Sequence, residues 1–465
     1  MADIVHALEI PYEGKPLAHF ARFAERPHAA LLDSAKVMDR FGRYSFLAVE
    51  PFSVLEAKDG RIMLDGRSFE GDPFEVLRER LAAFPLTHRD GLPPFQTGAV
   101  SFLSYDLCHH LERLPRPRSD DMRFPDLALG FYDAIAAWDH RDRRAFVLSS
   151  GWPEPDPVRR RRRAVERAAW LAAQLAAETG EQADPASHSV PEIRSNVERP
   201  AYEAAVRRVI DYILAGDIFQ ANMTQRFRAR MPQGLEPFAL YRRLMAINPA
   251  PFAAFLNFGE TAIASASPER FLSLRNGWVE TRPIKGTRPR GKTPEEDERL
   301  AAELLASEKD NAENVMIVDL LRNDLSRVCR DGSVNVPELC VLETYATVFH
   351  LVSTVVGQMR PGLGAVDLLR ASIPGGSITG APKIRAMEII AELEPMQRGP
   401  YCGSVGWFGF DGGMDTSITI RTYAIKDGWV TFQVGGGIVA DSDPAAEYEE
   451  SLDKARALIR ALQPD

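Results

Sequence analysis

Cysteine is scarce. Four of them, Cys108, Cys329, Cys340 and Cys402, stand in 465 residues, with no CxxC pair and no histidine at ligand spacing. That pattern argues against both a zinc site and a disulfide framework, and a reducing compartment fits it. Long apolar runs are missing too: no stretch of about 18 uninterrupted apolar residues marks a membrane span. The opening MADIVHALEIPYEG lacks the basic start and apolar core of a secretory signal, so a cytoplasmic location is expected. Nor is there an excess of positive charge. Lys plus Arg total 56 against 65 Asp plus Glu, a formal charge of −9, which argues against non-specific nucleic-acid binding. An anionic ligand would therefore need positive charge gathered locally. What is present, 45% hydrophobic and 26% charged residues, is the composition of a folded globular chain. Its length corresponds to about three domain-sized units.

Residues 1–176 read as many short strands broken by turns. RYSFLAVEPFSVLEAKDGRIMLDG, from Arg43, alternates apolar and polar residues around the turn signal Asp59-Gly60, and GAVSFLSYDL and LGFYDAIAAWDHRDRRAFVLSS read as further strands and a hairpin. A helix is expected after Pro157, with five consecutive arginines, Arg159 to Arg163, on what reads as a solvated face. The stretch 177–199 is polar, proline-containing and aperiodic, a linker or exposed crossover. From residue 200 to 465, an amphipathic helix ending near Gly216 leads into alternating strands and helices without a repeat. The fold class expected is α+β, with large, mainly antiparallel sheets.

Two carboxylate pairs carry the first hint of chemistry. Asp310 and Glu313, and Glu447 and Glu450, are each spaced i, i+3 in helical text, which places both carboxylates of a pair on one helix face. Such like charges cost a few tenths of a kcal/mol, and a hard cation such as Mg²⁺ held between the helices would reverse that cost. Acidic residues near a helix start also need no metal, because the dipole favours them. Lys454 follows Glu450 by four residues, as an ion-pair partner or as a cation for an anionic ligand. PGGSITGAPKIRAMEII runs glycines into a helix start without Walker-loop spacing. Gly435, Gly436 and Gly437 allow close backbone approach or a strand-end bulge. Lys285, flanked by Pro283 and Gly286, is expected in a backbone shaped by a turn. A lysine nucleophile must shed its proton, and lowering an ordinary pKa of about 10.4 to about 7.4 takes about 4 kcal/mol of differential environment. Tyr401 and Arg421 sit in strand-like text, and arginine there suits bidentate grip on a carboxylate. His350 is the last histidine of the chain, and such a residue is commonly a satisfied core group.

In order along the chain, GDIFQANMTQRF, ASPERF, PIKGTRPRG, AENVMIVDLLRNDL, PGGSITGAPK, GPYCGSVGW, TSITIRT and VGGGIVADSDPAAEYEESLDKA resemble the chorismate-utilising enzymes, from about Pro200 to Leu462. The resemblance implies an α/β sandwich of two large, mostly antiparallel sheets with helices outside and the active-site cleft between them. It implies Mg²⁺ on Glu313 and Glu450, with Asp310 and Glu447 as a water-mediated second pair. Asp310 departs from the glutamate usual in anthranilate synthases. Tyr401, Arg421, the amides of Gly435 to Gly437, and Lys454 match the carboxylate-binding set; Thr287 and His350 match positions lining the ring. Glu269 matches the general acid that protonates the departing hydroxyl, which implies a raised pKa. Anthranilate synthases carry alanine where Lys285 stands. The branch that forms 4-amino-4-deoxychorismate, on the 4-aminobenzoate and folate route, carries this lysine as the nucleophile that attacks C2. Gln220 occupies the place of the water-activating lysine of isochorismate synthases, and an amide cannot serve as that base.

LLDSA, from Leu31, with RYSFLAVEP, resembles the family's amino-acid pocket, which would make Ser34 a tryptophan contact. No nucleophile-elbow cysteine with a partner histidine is legible in the sequence. The resemblance implies ammonia supplied by a separate glutamine amidotransferase subunit. Two alternatives remain: an anthranilate-forming enzyme, and a catalytically silent, amino-acid-binding regulatory subunit.

Overall fold

The computed structural model describes residues 5–36, 41–177, 190–345 and 348–464. Most of the expected crossover, residues 178–189, lies outside the described residues. Its remainder is not plain linker: Arg194–Ser195 pairs with the strand Gln220–Arg230, and a helix starts at Arg199.

Two sheets of twelve strands face each other, and their strands pair antiparallel. The first runs from His6–Ile10 through Ala134–Asp139, Tyr44–Ala48 and Ala29–Asp33 to Phe252–Phe258, Thr261–Ser267, Thr422–Lys426, Trp429–Ile438 and Gln220–Arg230. The second begins at Ile284–Pro289 and Val348–Gln358, continues through Arg270–Arg275, Met414–Ile418 and Ser404–Gly409, and ends with Gly98–Leu103, Leu127–Tyr132 and Ser53–Lys58 followed by two short hairpin strands. Strands from 1–176 and from 200–465 thus build both sheets jointly. Fully buried aromatic and aliphatic side chains from both inner faces, among them Phe102, Tyr132, Leu256 and Ile263, fill the space between, as sheet-on-sheet packing requires.

The chain turns directly from a strand of one sheet into a strand of the other at four corners: 49–52, Asp133, Pro268–Glu269 and Thr419–Arg421. A residue at such a corner leaves one ladder before joining the next, so its side chain is free to serve another purpose. At the amino-terminal corners Glu50 and Asp133 take up the arginine-rich helix, Pro157–Ala176. Arg163 and Arg167 both reach Asp133, at 2.9 and 3.2 Å, and Arg160 is 6% exposed, its guanidinium 3.9 Å from the Trp152 ring centroid. Of the five arginines Arg159, Arg161 and Arg162 do form an exposed face, while Arg163 clamps the corner and Arg160 is buried on Trp152. Periodicity cannot reveal this, because the carboxylate that Arg163 serves lies at a corner distant in sequence.

Candidate active site

The other two corners adjoin. The Ile418 amide donates to the Glu269 carbonyl at 3.0 Å, and the Ala266 amide to the Arg421 carbonyl at 3.1 Å. Neither Arg421 nor Tyr401 is in a strand, contrary to the sequence reading. Arg421 occupies the left-handed region at φ 51°, and Tyr401 lies in the turn before Ser404–Gly409. The position of Arg421 is explained by the crossing itself, where the chain must turn out of one sheet to enter the other, whereas Tyr401 follows the helix Lys383–Leu393 and turns into its strand. Among the described residues Arg421 has no carboxylate at ion-pair distance. Burial holds its guanidinium below the ordinary arginine range, with Glu269 opposing that shift. A partly buried cation so placed is poised to receive an anion.

The glycine strand opens beside it. Pairing of Thr422–Lys426 with Trp429–Ile438 ends at Tyr423 opposite Phe432, because the chain before Thr422 belongs to the corner. Beyond that point the strand pairs on one side only, with Gln220–Arg230, and Gly435 to Gly437 follow there. A Cβ at Gly437 would fall 1.8 Å from Gln220 Nε2 and 2.6 Å from Glu313 Oε1; one at Gly436 would meet Glu447 Oε2 at 3.2 Å and Lys454 Nζ at 3.4 Å. The absence of side chains is what lets the two acidic helices approach.

Those helices are Glu308–Ser326, capped by Ser307, and Pro444–Leu462, capped by Asp443. Glu313 Oε1 accepts from Lys285 Nζ at 2.6 Å and from Gln220 Nε2 at 2.5 Å. Glu450 pairs with Lys454 at 2.7 Å, and Lys454 Nζ also donates to the Gly435 carbonyl at 2.8 Å. The Lys454 charge holds the Glu450 carboxyl below its ordinary range, whereas burial raises that of Glu447. Ser442 donates to Glu447 at 2.7 Å, and Lys309 lies 3.9 Å from it, bridging the helices. Asp310 is tied to Arg288 at 3.2 Å. Among the described residues no three His, Cys, Asp or Glu side chains gather as a preformed cation cage. The donor set is nonetheless all carboxylate oxygen, as hard divalent cations require, and the glycine strand leaves Glu313, Glu447 and Glu450 unobstructed. The residues fit magnesium, with Lys285 and Lys454 at the two principal carboxylates.

Glu269 is buried, and burial pushes its carboxyl up to about 7, against the lowering influence of the Ser377 hydrogen bond, Lys285 and Arg421. Ser377 Oγ donates to Glu269 Oε1 at 2.6 Å. Sequence reasoning singled out PGGSITGAPK but assigned no residue of it; its serine is a member of this site. Thr287 and His350 face each other across the Ile284–Pro289 pairing, Thr287 Oγ1 2.8 Å from His350 Nδ1. Burial lowers the imidazole pKa to about 3, so His350 is neutral at physiological pH. Tyr401 is raised well above the usual phenol value by burial. Ser34 lies elsewhere, on a cavity of about 530 Å³ between the sheets that is also lined by Asp33, Phe41, Tyr44, Phe252 and Arg270. Its hydroxyl donates to the Tyr44 carbonyl at 2.6 Å.

Also missed were Glu394 and Arg398, a fully buried pair at 2.7 Å. Arg398 donates to the carbonyls of Ile378 and Asn222, and Glu394 accepts from both the amide and hydroxyl of Thr224. The pair joins the Ser377 loop, the Gln220 strand and the Tyr401 turn. Its only sequence signal is an i, i+4 charge spacing common to many exposed helices.

Comparison with known proteins bears on this arrangement. The family model described as chorismate binding enzyme matches residues 28–460. The chain is 43% identical to anthranilate synthase component 1 of Thermus thermophilus, across 96% of this chain and 95% of that one. It is 42% identical to aminodeoxychorismate synthase component 1 of Escherichia coli, again across 96% and 95%. The crystal structure of anthranilate synthase component I from Streptococcus pneumoniae superposes with a TM-score of 0.79 at 33% identity, covering 91% of this chain and 93% of that one.

Proposed function

The chain belongs to the chorismate binding enzyme family, and from that premise we propose that it converts chorismate and ammonia to 4-amino-4-deoxychorismate. Homologues forming anthranilate and homologues forming aminodeoxychorismate are almost equally similar in sequence, so overall identity does not discriminate. The observation that carries the reading is Lys285. Its ammonium sits in the cleft on Glu313 and acts electrostatically on the buried acid Glu269, so nucleophile and acid serve one space.

In the proposed reaction Lys285 Nζ, as the free amine, attacks C2 of the ring. The C1–C2 and C5–C6 double bonds shift, and the C4–O bond breaks as Glu269 delivers its proton to the leaving hydroxyl, which departs as water. Ammonia then forms a bond at C4 and gives up a proton that restores Glu269, the double bonds return, and the C2–N bond breaks with its electron pair leaving on Lys285 as the free amine. The balance is chorismate plus ammonia to aminodeoxychorismate plus water, with the enolpyruvyl ether retained. Arg421, Tyr401 and the open amides at Gly435 to Gly437 would hold the substrate carboxylates. Thr287 and the neutral His350 would line the ring. Glu313 and Glu450, with Asp310 and Glu447 behind bound water, would hold magnesium, which neutralises substrate carboxylate charge. Ammonia would come from a glutamine amidotransferase subunit, and the cavity at Ser34 would take an amino acid, tryptophan.

Incubation with chorismate, ammonium chloride and magnesium tests the reading. The expected product, identified by mass and absorbance, is 4-amino-4-deoxychorismate. Anthranilate with released pyruvate would move the protein to the other branch, and absence of turnover would favour a silent amino-acid-binding subunit. Glu313→Gln or Glu450→Gln is expected to lower turnover by about a hundredfold or more while thermal unfolding remains cooperative. Full activity in excess chelator would contradict the magnesium assignment.

A further inference from the structure

The strand that carries Gln220 into the candidate active site ends in a different chemistry. Side chains two residues apart on a strand share a face, about 7 Å from one another. On the face that bears Gln220, Asn222 and Thr224, the residues Arg226, Arg228 and Arg230 come next. Arg194, in the edge strand Arg194–Ser195, stands directly opposite Arg228 and joins the same face. Like charges so opposed are destabilising. In a chain of formal charge −9, four guanidiniums gathered at one sheet edge call for a physical reason.

The four arginines line a single cavity of about 490 Å³, together with Asn196 and Trp429, and that volume suits a small molecule. Asp121 answers both Arg226, at 2.8 Å, and Arg228, at 3.2 Å. Glu192 answers Arg194 at 2.8 Å. Arg230 has no carboxylate at ion-pair distance among the described residues, and its Nη1 reaches only the Asp427 carbonyl, at 3.5 Å. Four cations thus meet two carboxylates. Arg226 is 6% exposed, and its Nε is buried without a hydrogen-bond partner among the described residues, which leaves a buried cation short of acceptors. The guanidiniums of Arg228 and Arg230 lie 4.2 and 3.9 Å from the Trp429 ring centroid, within cation–π range. Two long side chains are therefore ordered before a ligand arrives, which lowers the cost of binding one.

We propose that this cavity binds a compact polyanion, a diphosphate group, at a site separate from the candidate active site. The excess of positive charge matches a group carrying two or more negative charges, and guanidinium forks pair with phosphoryl oxygens through two parallel hydrogen bonds. A singly charged carboxylate would leave part of that excess unanswered. Arg226 stands six residues beyond Gln220, about 20 Å along the strand, and none of these arginines belongs to the reaction proposed above. The inference is therefore independent of the amination reading.

Calorimetric titration of the full chain with inorganic pyrophosphate, without magnesium and at constant physiological ionic strength, tests the proposal. Binding is expected, weakened about tenfold or more by the double substitution Arg228→Glu with Arg230→Glu and retained in Lys454→Ala. Arg228 is partly exposed and Arg230 exposed, so the double variant should still unfold cooperatively. Asp121→Asn removes a competing carboxylate and is expected to tighten binding several-fold. Adenosine diphosphate, titrated in parallel, separates two sources of the same group: an affinity no higher than that of pyrophosphate assigns recognition to the phosphates alone, and a higher one assigns it to a nucleotide. Absence of pyrophosphate binding would overturn the proposal, as would an Asp121→Asn chain that binds no tighter. Binding left unchanged by the double substitution, or removed by Lys454→Ala, would overturn it too, because the anion would then sit elsewhere.

Discussion

Lys285→Ala is expected to abolish formation of 4-amino-4-deoxychorismate, with turnover to that product falling by about a thousandfold or more, the scale on which loss of a reacting side chain acts. The argument is one of connectivity rather than proximity. Attack at C2 moves the ring double bonds and opens C4 to the incoming amine; alanine leaves C2 bare, and ammonia can then attack there itself. Loss of the first product with gain of anthranilate is therefore the signature that separates a nucleophile from a merely electrostatic lysine. Lys285 Nζ holds Glu313 at 2.6 Å, with both side chains about one-tenth exposed, so its removal also withdraws a partner from a largely buried carboxylate. That carboxylate keeps the Gln220 amide, and thermal unfolding measured beside the product assay separates destabilisation from lost chemistry. Unchanged product and rate in a folded variant would remove Lys285 from the mechanism.

The legibility of this site followed a physical division. Elements with a local period were readable: the helix after Pro157 spans Pro157–Ala176, and the spacing of Glu447 and Glu450 does put both on the helix Pro444–Leu462. Close approach was readable in outline from the glycine run, because only a missing side chain leaves room for Gln220 and Glu313 beside Gly437. Sheet membership was not. The 3.6- and 2-residue periods fix which way a side chain points, not which ladder its strand joins, so the corners at Pro268–Glu269 and Thr419–Arg421 could not be distinguished from continuing strands. The consequence falls on function: Arg421 and Tyr401 act from a corner and a turn, not from strand faces. Long-range pairs were invisible for the same reason. Arg163 finds Asp133 at 2.9 Å, Ser377 finds Glu269 at 2.6 Å, and Arg398 of the Glu394–Arg398 pair reaches Asn222, 176 residues away.

Glu269→Gln is the second substitution with a large expected effect, a loss of about 10²- to 10⁴-fold in kcat from removing a general acid, together with a change in the shape of the pH profile. The donor must carry its proton before the C4 hydroxyl can leave as water. Burial raises the carboxyl from 4.5 to about 7, so Glu269 is protonated below pH 7 and ionised above it. Activity should therefore fall as pH rises through about 7, and that alkaline limb should disappear in the glutamine variant. The same shift makes a separable prediction about stability. Folded Glu269 holds its proton more tightly than the unfolded chain does, so its contribution is fully present below about pH 4.5 and is lost as pH rises through about 7. The difference in Tm between parent and variant should follow that course, and glutamine, which cannot ionise, should give the flatter curve. Glutamine keeps an oxygen that can accept from Ser377, so the corner retains its contact and the comparison isolates the proton. A variant whose residual activity keeps the parent's alkaline limb would show that another group titrates there, and the acid would have to be sought elsewhere in the cleft.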